Sequence, residues 1–184
     1  MITVYINGKA TQVLKNTKVL HACTKAGYPV PHLCYHEDLP AFGNCGVCMV
    51  EINGRVVRAC STPCEDGMQI KTTGKKLLDL RREAMEIILS NHPNNCPECI
   101  KNGRCELQAL SQELAIRHMH LKKVKRKYKG RDESSPSITL DPSYCIQCGR
   151  CTYVCNEIQD VHALENSERG FETYVGPTFD RELE

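Results

Sequence analysis

Alternating apolar and polar residues mark the start of the chain as β structure. The alternation runs through residues 2–6 and leads into Asn7-Gly8, a pair typical of tight β-hairpin turns. A second hairpin is predicted around Asn53-Gly54, because apolar residues alternate on both sides of that pair. A last short strand is expected at Ile70. Residues 1–74 are therefore predicted to form a compact, mostly β unit.

Helical periodicity replaces this pattern further along the chain. From Lys75 to Ser90, apolar residues recur every three or four positions, which predicts an amphipathic helix. Its buried face is expected to hold Leu77, Leu80, Ala84 and Ile88. Another helix is predicted over residues 106–116, and a short one inside the first unit is expected to be capped by Thr17 and to end at Gly27. The mixture predicts an α+β fold.

The composition is unusual in one respect, the 13 cysteines among 184 residues. Such an excess indicates either disulfides in a secreted protein or thiolate ligands in a reducing compartment. The first residues lack the basic and apolar regions of a signal peptide, and no apolar run approaches the ~20 residues that cross a bilayer. Because the cysteines also fall into C-x2-C pairs, we expect a cytoplasmic metalloprotein without direct membrane insertion. The net charge of +2 is too small to imply an anionic partner.

The first cysteine group has the spacing C-x10-C-x2-C-x11-C. Its members are Cys34, Cys45, Cys48 and Cys60. Gly43 and Gly46 in the loop would let backbone N–H groups approach sulfur closely. Soft thiolates favour an iron–sulfur cluster or zinc. The β pattern and the loop glycines favour a [2Fe–2S] cluster, although the long first gap leaves zinc as an alternative.

The second group combines one histidine with three cysteines. Its members are His92, Cys96, Cys99 and Cys105. A histidine beside a proline is most often a solvated surface residue. Here the three cysteines leave a four-ligand site one ligand short, and the loop can return the histidine to it. Both a Cys3His zinc site and a [4Fe–4S] cluster could use these residue types.

The third group has the C-x2-C-x2-C-x3-C spacing found in bacterial ferredoxins. Its members are Cys145, Cys148, Cys151 and Cys155. In two-cluster ferredoxins the fourth cysteine of such a run binds the other cluster. This chain has no second run, and Asn156 replaces the usual proline. Either Cys155 serves the local [4Fe–4S] cluster, or that cluster takes a ligand from outside these residues.

Three features stand outside these groups. Cys23 lies on the apolar face of its predicted helix and is expected to be a buried packing residue. Cys64 is expected to be a free thiol in a turn, with ligation near Cys60 as the alternative. Eight Lys/Arg residues between Arg117 and Arg131 include a single tyrosine, which favours a linker or a docking strip over a nucleic-acid site.

Taken in order, the three groups resemble one family over nearly the whole chain. The matching stretches are LCYHEDLPAFGNCGVCMVEING with RAC, NHPNNCPECIKNGRCELQ and YCIQCGRCTYVCNEI. They are similar to the iron–sulfur segment shared by three proteins. These are the large iron–sulfur subunit of respiratory complex I, the small diaphorase subunit of NAD-reducing nickel–iron hydrogenases, and the N-terminal region of iron-only hydrogenases.

The resemblance implies four segments and three clusters. Residues 1–74 would be a β-grasp [2Fe–2S] ferredoxin domain, 75–116 a small helical His/Cys3 domain with a [4Fe–4S] cluster, and 117–138 a basic linker. Residues 139–184 would form a partial bacterial-ferredoxin-like [4Fe–4S] unit, whereas relatives usually continue to a further cysteine or cluster run. The three sets of cysteines, with His92, would be the ligands.

The resemblance also implies a function in electron transfer. We expect an iron–sulfur subunit or fragment that relays single electrons between a flavin subunit handling NAD(P)H and a terminal catalytic subunit, such as a hydrogenase or a formate dehydrogenase. It would act within a hetero-oligomer of an anaerobic bacterium, without nucleic acid. The sequence shows no Rossmann fingerprint, P-loop or fourth cysteine group, so no catalytic site of its own is evident. The alternatives are a zinc-stapled interaction or nucleic-acid-binding module and the N-terminal part of an iron-only hydrogenase catalytic subunit.

Overall fold

A computed structural model describes residues 1–122 and 130–182, which combine α and β structure as expected. The strands are β1 (Ile2–Ile6), β2 (Lys9–Val13), β3 (Met49–Ile52), β4 (Arg55–Arg58), β5 (Gln69–Lys71), β6 (Leu164–Ser167) and β7 (Tyr174–Pro177). The α-helices are α1 (Val19–Lys25), α2 (Lys75–Ser90), α3 (Glu106–Glu113) and α4 (Arg150–Tyr153). Short 3-10 turns occupy Cys96–Glu98, Pro142–Tyr144, Gly170–Glu172 and Thr178–Asp180.

The first five strands form one mixed sheet in the order β2-β1-β5-β3-β4. Both predicted hairpins are confirmed, with β1 antiparallel to β2 and β3 antiparallel to β4. At each turn the Asn and the Gly have positive φ, which these two residue types tolerate best. The central strand β5 runs parallel to β1 and antiparallel to β3, so it joins the two hairpins.

Helix α1 covers one face of this sheet. Its apolar side, which includes Leu20 and Cys23, packs into a core with sheet residues such as Val4, Val50 and Ile70. The Thr17 cap is wrong by one residue, because Lys18 precedes the helix and makes no side-chain capping bond. The carbonyl oxygen of Thr17 instead accepts a hydrogen bond from the Cys64 backbone at 2.8 Å.

Helix α2 has the predicted bounds, but its buried face is rotated from the predicted one. Leu77 is buried as expected, whereas Leu80, Ala84 and Ile88 are only partly buried. The fully covered positions include Arg81 and Met85. The Arg81 guanidinium donates to the carbonyls of Met49 at 2.6 Å and Thr72 at 2.9 Å, which allows a charged side chain to occupy the interface. Burial lowers the pKa of this guanidinium.

A second core connects the helices to the loop between α1 and β3. Its buried residues are Leu33, Val47, Met85, Leu107, Leu110 and Leu114. The three leucines of α3 therefore form the stripe predicted for them, although α3 ends at Glu113 and Leu114 follows as its cap. Ile146, from the last part of the chain, packs against the same core.

The last part of the chain contains few helices and strands, and only some of them were predicted. Helix α4 begins one residue before Cys151 and continues into a π-helical turn at Val154–Ile158. The antiparallel pair β6–β7 was not predicted. In the expected linker, residues 117–122 and 130–138 contain no helix or strand. No helix in the described part of the chain is long and apolar enough to cross a membrane.

Candidate iron–sulfur sites

The first group of cysteines is built into the protein core. Cys34, Cys48 and Cys60 are at most 1% exposed, and Cys45 is partly buried. Cys34 and Cys45 come from the loop that follows α1, Cys48 directly precedes β3, and Cys60 follows β4. Because β3 and β4 are paired, the two later cysteines are held by the sheet itself.

The four thiols of this group associate in two pairs. Cys34 donates a hydrogen bond to the Cys45 sulfur, which lowers the pKa of Cys45 to about 5. Cys48 donates to Cys60 in the same way and lowers the pKa of Cys60. The donors Cys34 and Cys48 have raised pKa values, first because of these hydrogen bonds and then because of burial. Each pair thus places one protonated donor thiol beside one sulfur with thiolate character.

Backbone N–H groups also surround these sulfurs. The N–H groups of Val47, Cys34 and Leu33 bond to the Cys45 sulfur and further lower its pKa. Gly43 and Gly46 have φ values of +69° and +67°, a conformation that glycine adopts without strain. The sequence predicted this approach of the backbone to sulfur. Such N–H groups stabilise an anionic cluster.

The second group lines a cavity of about 620 Å³. All four predicted residues contribute to its wall, namely His92, Cys96, Cys99 and Cys105. The cavity lies between the end of α2 and the start of α3, and Tyr144 and Ile146 close it from the last part of the chain. The structure therefore brings this predicted set together around one space.

Asn94 holds the His92 ring. The His92 Nδ1 atom lies 3.1 Å from Asn94 Oδ1, and Asn94 Nδ2 donates to the Leu89 carbonyl at 2.8 Å. The Asn94 backbone N–H also donates to Nδ1 at 3.2 Å, so both contacts engage Nδ1, and a cluster would bind at Nε2. The Tyr144 ring meets the imidazole edge-to-face, with centroids 5.8 Å apart.

The third group is far less buried than the first. Cys145, Cys148 and Cys155 are partly buried, and Cys151 is exposed. Although Cys151 as a whole is exposed, partial desolvation of its thiol raises its pKa, and the charges of Cys145 and Cys148 add to this effect. The backbone N–H of Gln147 bonds to the Cys145 sulfur at 3.3 Å.

Cys155 occupies a different setting. It lies in the π-helical turn, one helical turn beyond Cys151, and its sulfur accepts a hydrogen bond from the Ala163 backbone at 3.2 Å. Asn156, which stands where ferredoxins have proline, continues that turn, and its Oδ1 atom is buried without a described hydrogen-bond partner. The role of Cys155 as a local ligand stays a prediction.

The three groups adjoin one another. Asn44, beside Cys45, donates to the carbonyl of Cys148 at 3.3 Å. Asn95, beside Cys96, lies 3.1 Å from the hydroxyl of Tyr144, which precedes Cys145. The second core unites them, because Cys45, Cys105 and Ile146 all pack against it.

The remaining sequence features have simpler settings. Cys23 is completely buried, and its burial raises the pKa of the thiol to about 12, as suits a packing residue. Cys64 is a free cysteine, as expected, and it is buried between β4 and β5, where burial raises the pKa of its thiol. The centre of the basic run, residues 123–129, lies outside the described residues. Within the described ranges, no three His, Cys, Asp or Glu side chains are close enough to hold a single metal ion.

Sequence reasoning missed the residues that support these sites. Arg81 was placed on the polar face of α2, and Asn94 had no signal beyond its position in the loop. Arg150 could have been noticed, because it lies between two cysteines of the third group. Its side chain bonds to three carbonyls more than one hundred positions earlier, which no local pattern indicates.

Two family models match the chain. Residues 1–75 match a 2Fe-2S iron-sulfur cluster binding domain, and residues 81–120 match the NADH-ubiquinone oxidoreductase-G iron-sulfur binding region. The first match contains Cys34, Cys45, Cys48 and Cys60, and the second contains His92, Cys96, Cys99 and Cys105. The chain therefore contains both kinds of iron–sulfur domain that the resemblance implied.

Curated relatives match nearly the whole chain. The NADP-reducing hydrogenase subunit HndD of Solidesulfovibrio fructosivorans is 36% identical over all of this chain and 32% of its own length. A G-type subunit of the NADH-quinone oxidoreductase of Rhizobium meliloti is 35% identical over 95% of this chain and 21% of its own length. The chain thus spans about a third or less of these relatives.

A solved structure has the same fold. The crystal structure of an NAD+-reducing [NiFe]-hydrogenase in the H2-reduced state contains a chain that superposes with a TM-score of 0.89. The two are 30% identical, and the match covers 96% of this chain and 75% of the other. The chain belongs to the family of iron–sulfur proteins related to the G-type subunits of NADH-quinone oxidoreductase and to subunits of NAD(P)-linked hydrogenases.

Proposed function

We propose that the chain holds one [2Fe–2S] and two [4Fe–4S] clusters and relays single electrons. The electrons would pass between a subunit that handles NAD(P)H through a flavin and a terminal redox site, such as a hydrogenase or a formate dehydrogenase. The observation that carries the proposal is the shared second core, where Cys45, Cys105 and Ile146 bring three cysteine groups together. Bound clusters would supply one-electron carriers along one continuous body.

The residues of each site have distinct tasks. In the first site, the pairs Cys34/Cys45 and Cys48/Cys60 would each hold one iron, which the pairing of their thiols supports. The sheet and the surrounding core exclude water from these sulfurs. The strand order and helix α1 support the β-grasp assignment of residues 1–74.

In the second site, His92 would bind with Cys96, Cys99 and Cys105. Asn94 would hold the ring so that Nε2 faces the cavity, as partners of metal-binding histidines commonly do. Neutral imidazole in place of a thiolate removes one negative charge from the ligand set, which favours the reduced state. Residues 75–116 would form this domain, and residues 117–138 the linker after it.

In the third site, Cys145, Cys148 and Cys151 would hold a [4Fe–4S] cluster, with Cys155 as the fourth candidate ligand. Residues 139–184 would form this unit. We place the protein in the cytoplasm of an anaerobic bacterium, in a hetero-oligomer with a flavin subunit and a terminal catalytic subunit. The names of the relatives support such an assembly, because each is a subunit of a larger enzyme.

Metal analysis of anaerobically purified protein tests the proposal. Three filled clusters give about ten irons and about ten acid-labile sulfides per chain and a brown colour. A colourless protein that contains zinc would contradict the proposal and support the zinc-stapled module. The subunits that co-purify would then identify the donor and the terminal site.

A second candidate is the electron-input part of a longer hydrogenase subunit. It is favoured by the match to HndD, a protein about three times as long as the matched region. Hydrogen turnover separates the two candidates. The relay proposal predicts that this chain alone neither evolves nor consumes hydrogen, even with all its clusters filled. Hydrogen turnover by this chain would overturn the relay proposal and support the second candidate.

A further inference from the structure

Arg150 begins the helix that carries part of the third cysteine group. It lies between Cys148 and Cys151 as the first residue of α4. The preceding Gly149 has a φ of +80°, and a Cβ atom there would lie 2.8 Å from the Asn44 side chain. The loop of the third site therefore approaches the loop of the first site as closely as glycine permits.

The Arg150 side chain reaches into the first site. Its Nη2 atom lies 2.6 Å from the carbonyl oxygen of Leu33 and 2.9 Å from that of Tyr35. Its Nε atom donates to the carbonyl of Cys34 at 3.3 Å. One guanidinium thus holds the carbonyls of three consecutive residues centred on a candidate ligand of the [2Fe–2S] cluster.

The same group also contacts the second site. Nη2 lies 3.2 Å from Oε2 of Glu106, the residue that directly follows Cys105. The Arg150 side chain is 26% exposed and that of Glu106 65%, so solvent partly screens this ion pair. Through this ion pair, Arg150 contacts chain segments from all three sites.

Resting on the proposed function, we infer that Arg150 is a positioning residue for the electron path. It fixes the loops of the first and third clusters against each other, and its charge raises the reduction potential of the first cluster. Among the described residues, no other cation bonds to the backbone carbonyls of Leu33, Cys34 and Tyr35.

The sign of the electrostatic effect follows from charge. Reduction adds one negative charge to a cluster, and a guanidinium beside its ligand loop stabilises that added charge. The mechanical effect depends on shape, because a planar guanidinium presents several donors in a fixed fork, whereas a lysine ammonium is a compact point charge. Charge and shape can therefore be separated by substitution.

Four variants of the full chain with its clusters make the test. R150K keeps the charge and removes the fork, and R150Q removes both. E106Q removes the negative partner without disturbing a buried group. R104Q is the matched control, because Arg104 directly precedes Cys105, is exposed, and its side chain has one described hydrogen bond, to the Ile100 carbonyl at 3.4 Å.

Redox titration followed by electron paramagnetic resonance gives both readouts. For R150Q we expect the ratio of reduced to oxidised first cluster at a fixed potential to fall by about tenfold, which for one electron is about 59 mV. R150K should keep the wild-type potential but lose part of the magnetic interaction between reduced clusters. E106Q should shift the first potential upward, and R104Q should leave it unchanged.

Each outcome either supports the inference or overturns it. A wild-type first-cluster potential in R150Q, with full iron content, would overturn it, as would an equal shift in R104Q. If R150Q fails to assemble its clusters, E106Q decides: an upward shift supports the inference and an unchanged potential overturns it. Absence of clusters from the wild-type protein would instead contradict the proposed function itself.

Discussion

The first and third sites use the same ligand type in opposite surroundings. The first places Cys48 and Cys60 in the hydrophobic core shared by a five-stranded sheet and a helix, and three of its four cysteines are fully buried. The third presents its cysteines on a loop and a short helix, where Cys151 is exposed. The buried residues described beyond position 138 are Pro142, Thr152, Tyr174, Val175 and Gly176.

The difference teaches how each site is stabilised. Apolar burial contributes roughly 25 cal/mol per Å², so the first unit can fold around its thiols before any iron binds. A segment with so few buried residues cannot recover its loss of chain entropy in that way. We therefore expect the cluster itself to stabilise the third unit, as metals do in small metalloproteins.

Removal of iron should destabilise the third unit much more than the first. After anaerobic chelation, we expect amide protons in residues 139–182 to exchange rapidly, while those of β1 and β5 stay protected. The central strands depend on apolar packing, whereas the third unit depends on its cluster. Hydrogen exchange read by mass spectrometry makes the comparison. Equal loss of protection in both regions would contradict it.

Loss of a single ligand should show the same contrast. Cys148→Ala should lower the iron content by about four per chain and raise exchange throughout residues 139–182. Cys48→Ala should lower it by about two and leave the sheet folded. Cys64→Ala is the control, since this cysteine is buried near the first site but is not a predicted ligand. Loss of two irons in the control would make Cys64 the ligand instead.

Arg81 tests the stability of the first region without touching a ligand. Arg81→Met removes the donors to the Met49 and Thr72 carbonyls and leaves both acceptors unpaired at a buried interface. We expect the free energy of unfolding of this region to fall by about 3 kcal/mol, measured by anaerobic denaturant titration. The exposed Lys76→Met should change it by less than about 0.5 kcal/mol. Similar values for both variants would show that the buried arginine contributes little.

The substitution His92→Cys tests ligation in the second site. A thiolate in place of neutral imidazole adds a negative charge to the ligand set and disfavours the reduced state. We expect the reduction potential of the second cluster to fall by on the order of 100 mV, by analogy with the effect of histidine in Rieske centres. His118→Cys, on an exposed residue of the same region, should not change it. An unchanged titration of His92→Cys would exclude ligation by His92.

Much of the architecture could be predicted from local pattern. Both Asn-Gly hairpins and the bounds of α2 follow from short-range rules, and three motifs in order led to the correct family. The buried face of α2 was predicted only in part. Leu77 is buried and Ala84 and Ile88 pack against the second core, but hydrophobicity placed the buried Arg81 outside. The protein buries this charge by giving it two carbonyl partners, which lie nine and 32 residues away in the chain.

What escaped prediction depends on contacts between distant segments. The cysteine spacings indicated each ligand set, but no spacing could show that Arg150 would bind carbonyls 115 to 117 residues earlier. The pair β6–β7 has little apolar alternation, and it forms where β7 packs beside the Pro142–Tyr144 turn. Sequence therefore indicated the candidate ligands, and only the fold shows how the three groups adjoin.

Coulometric reduction of the anaerobically purified chain tests the central claim most directly. A relay with one [2Fe–2S] and two [4Fe–4S] clusters should take up about three electrons per chain, and each should be assignable to one cluster by its paramagnetic signal. We expect all three signals in the wild-type protein and loss of only the third in Cys148→Ala. Uptake of no electrons by a fully metallated chain would contradict the electron-transfer account.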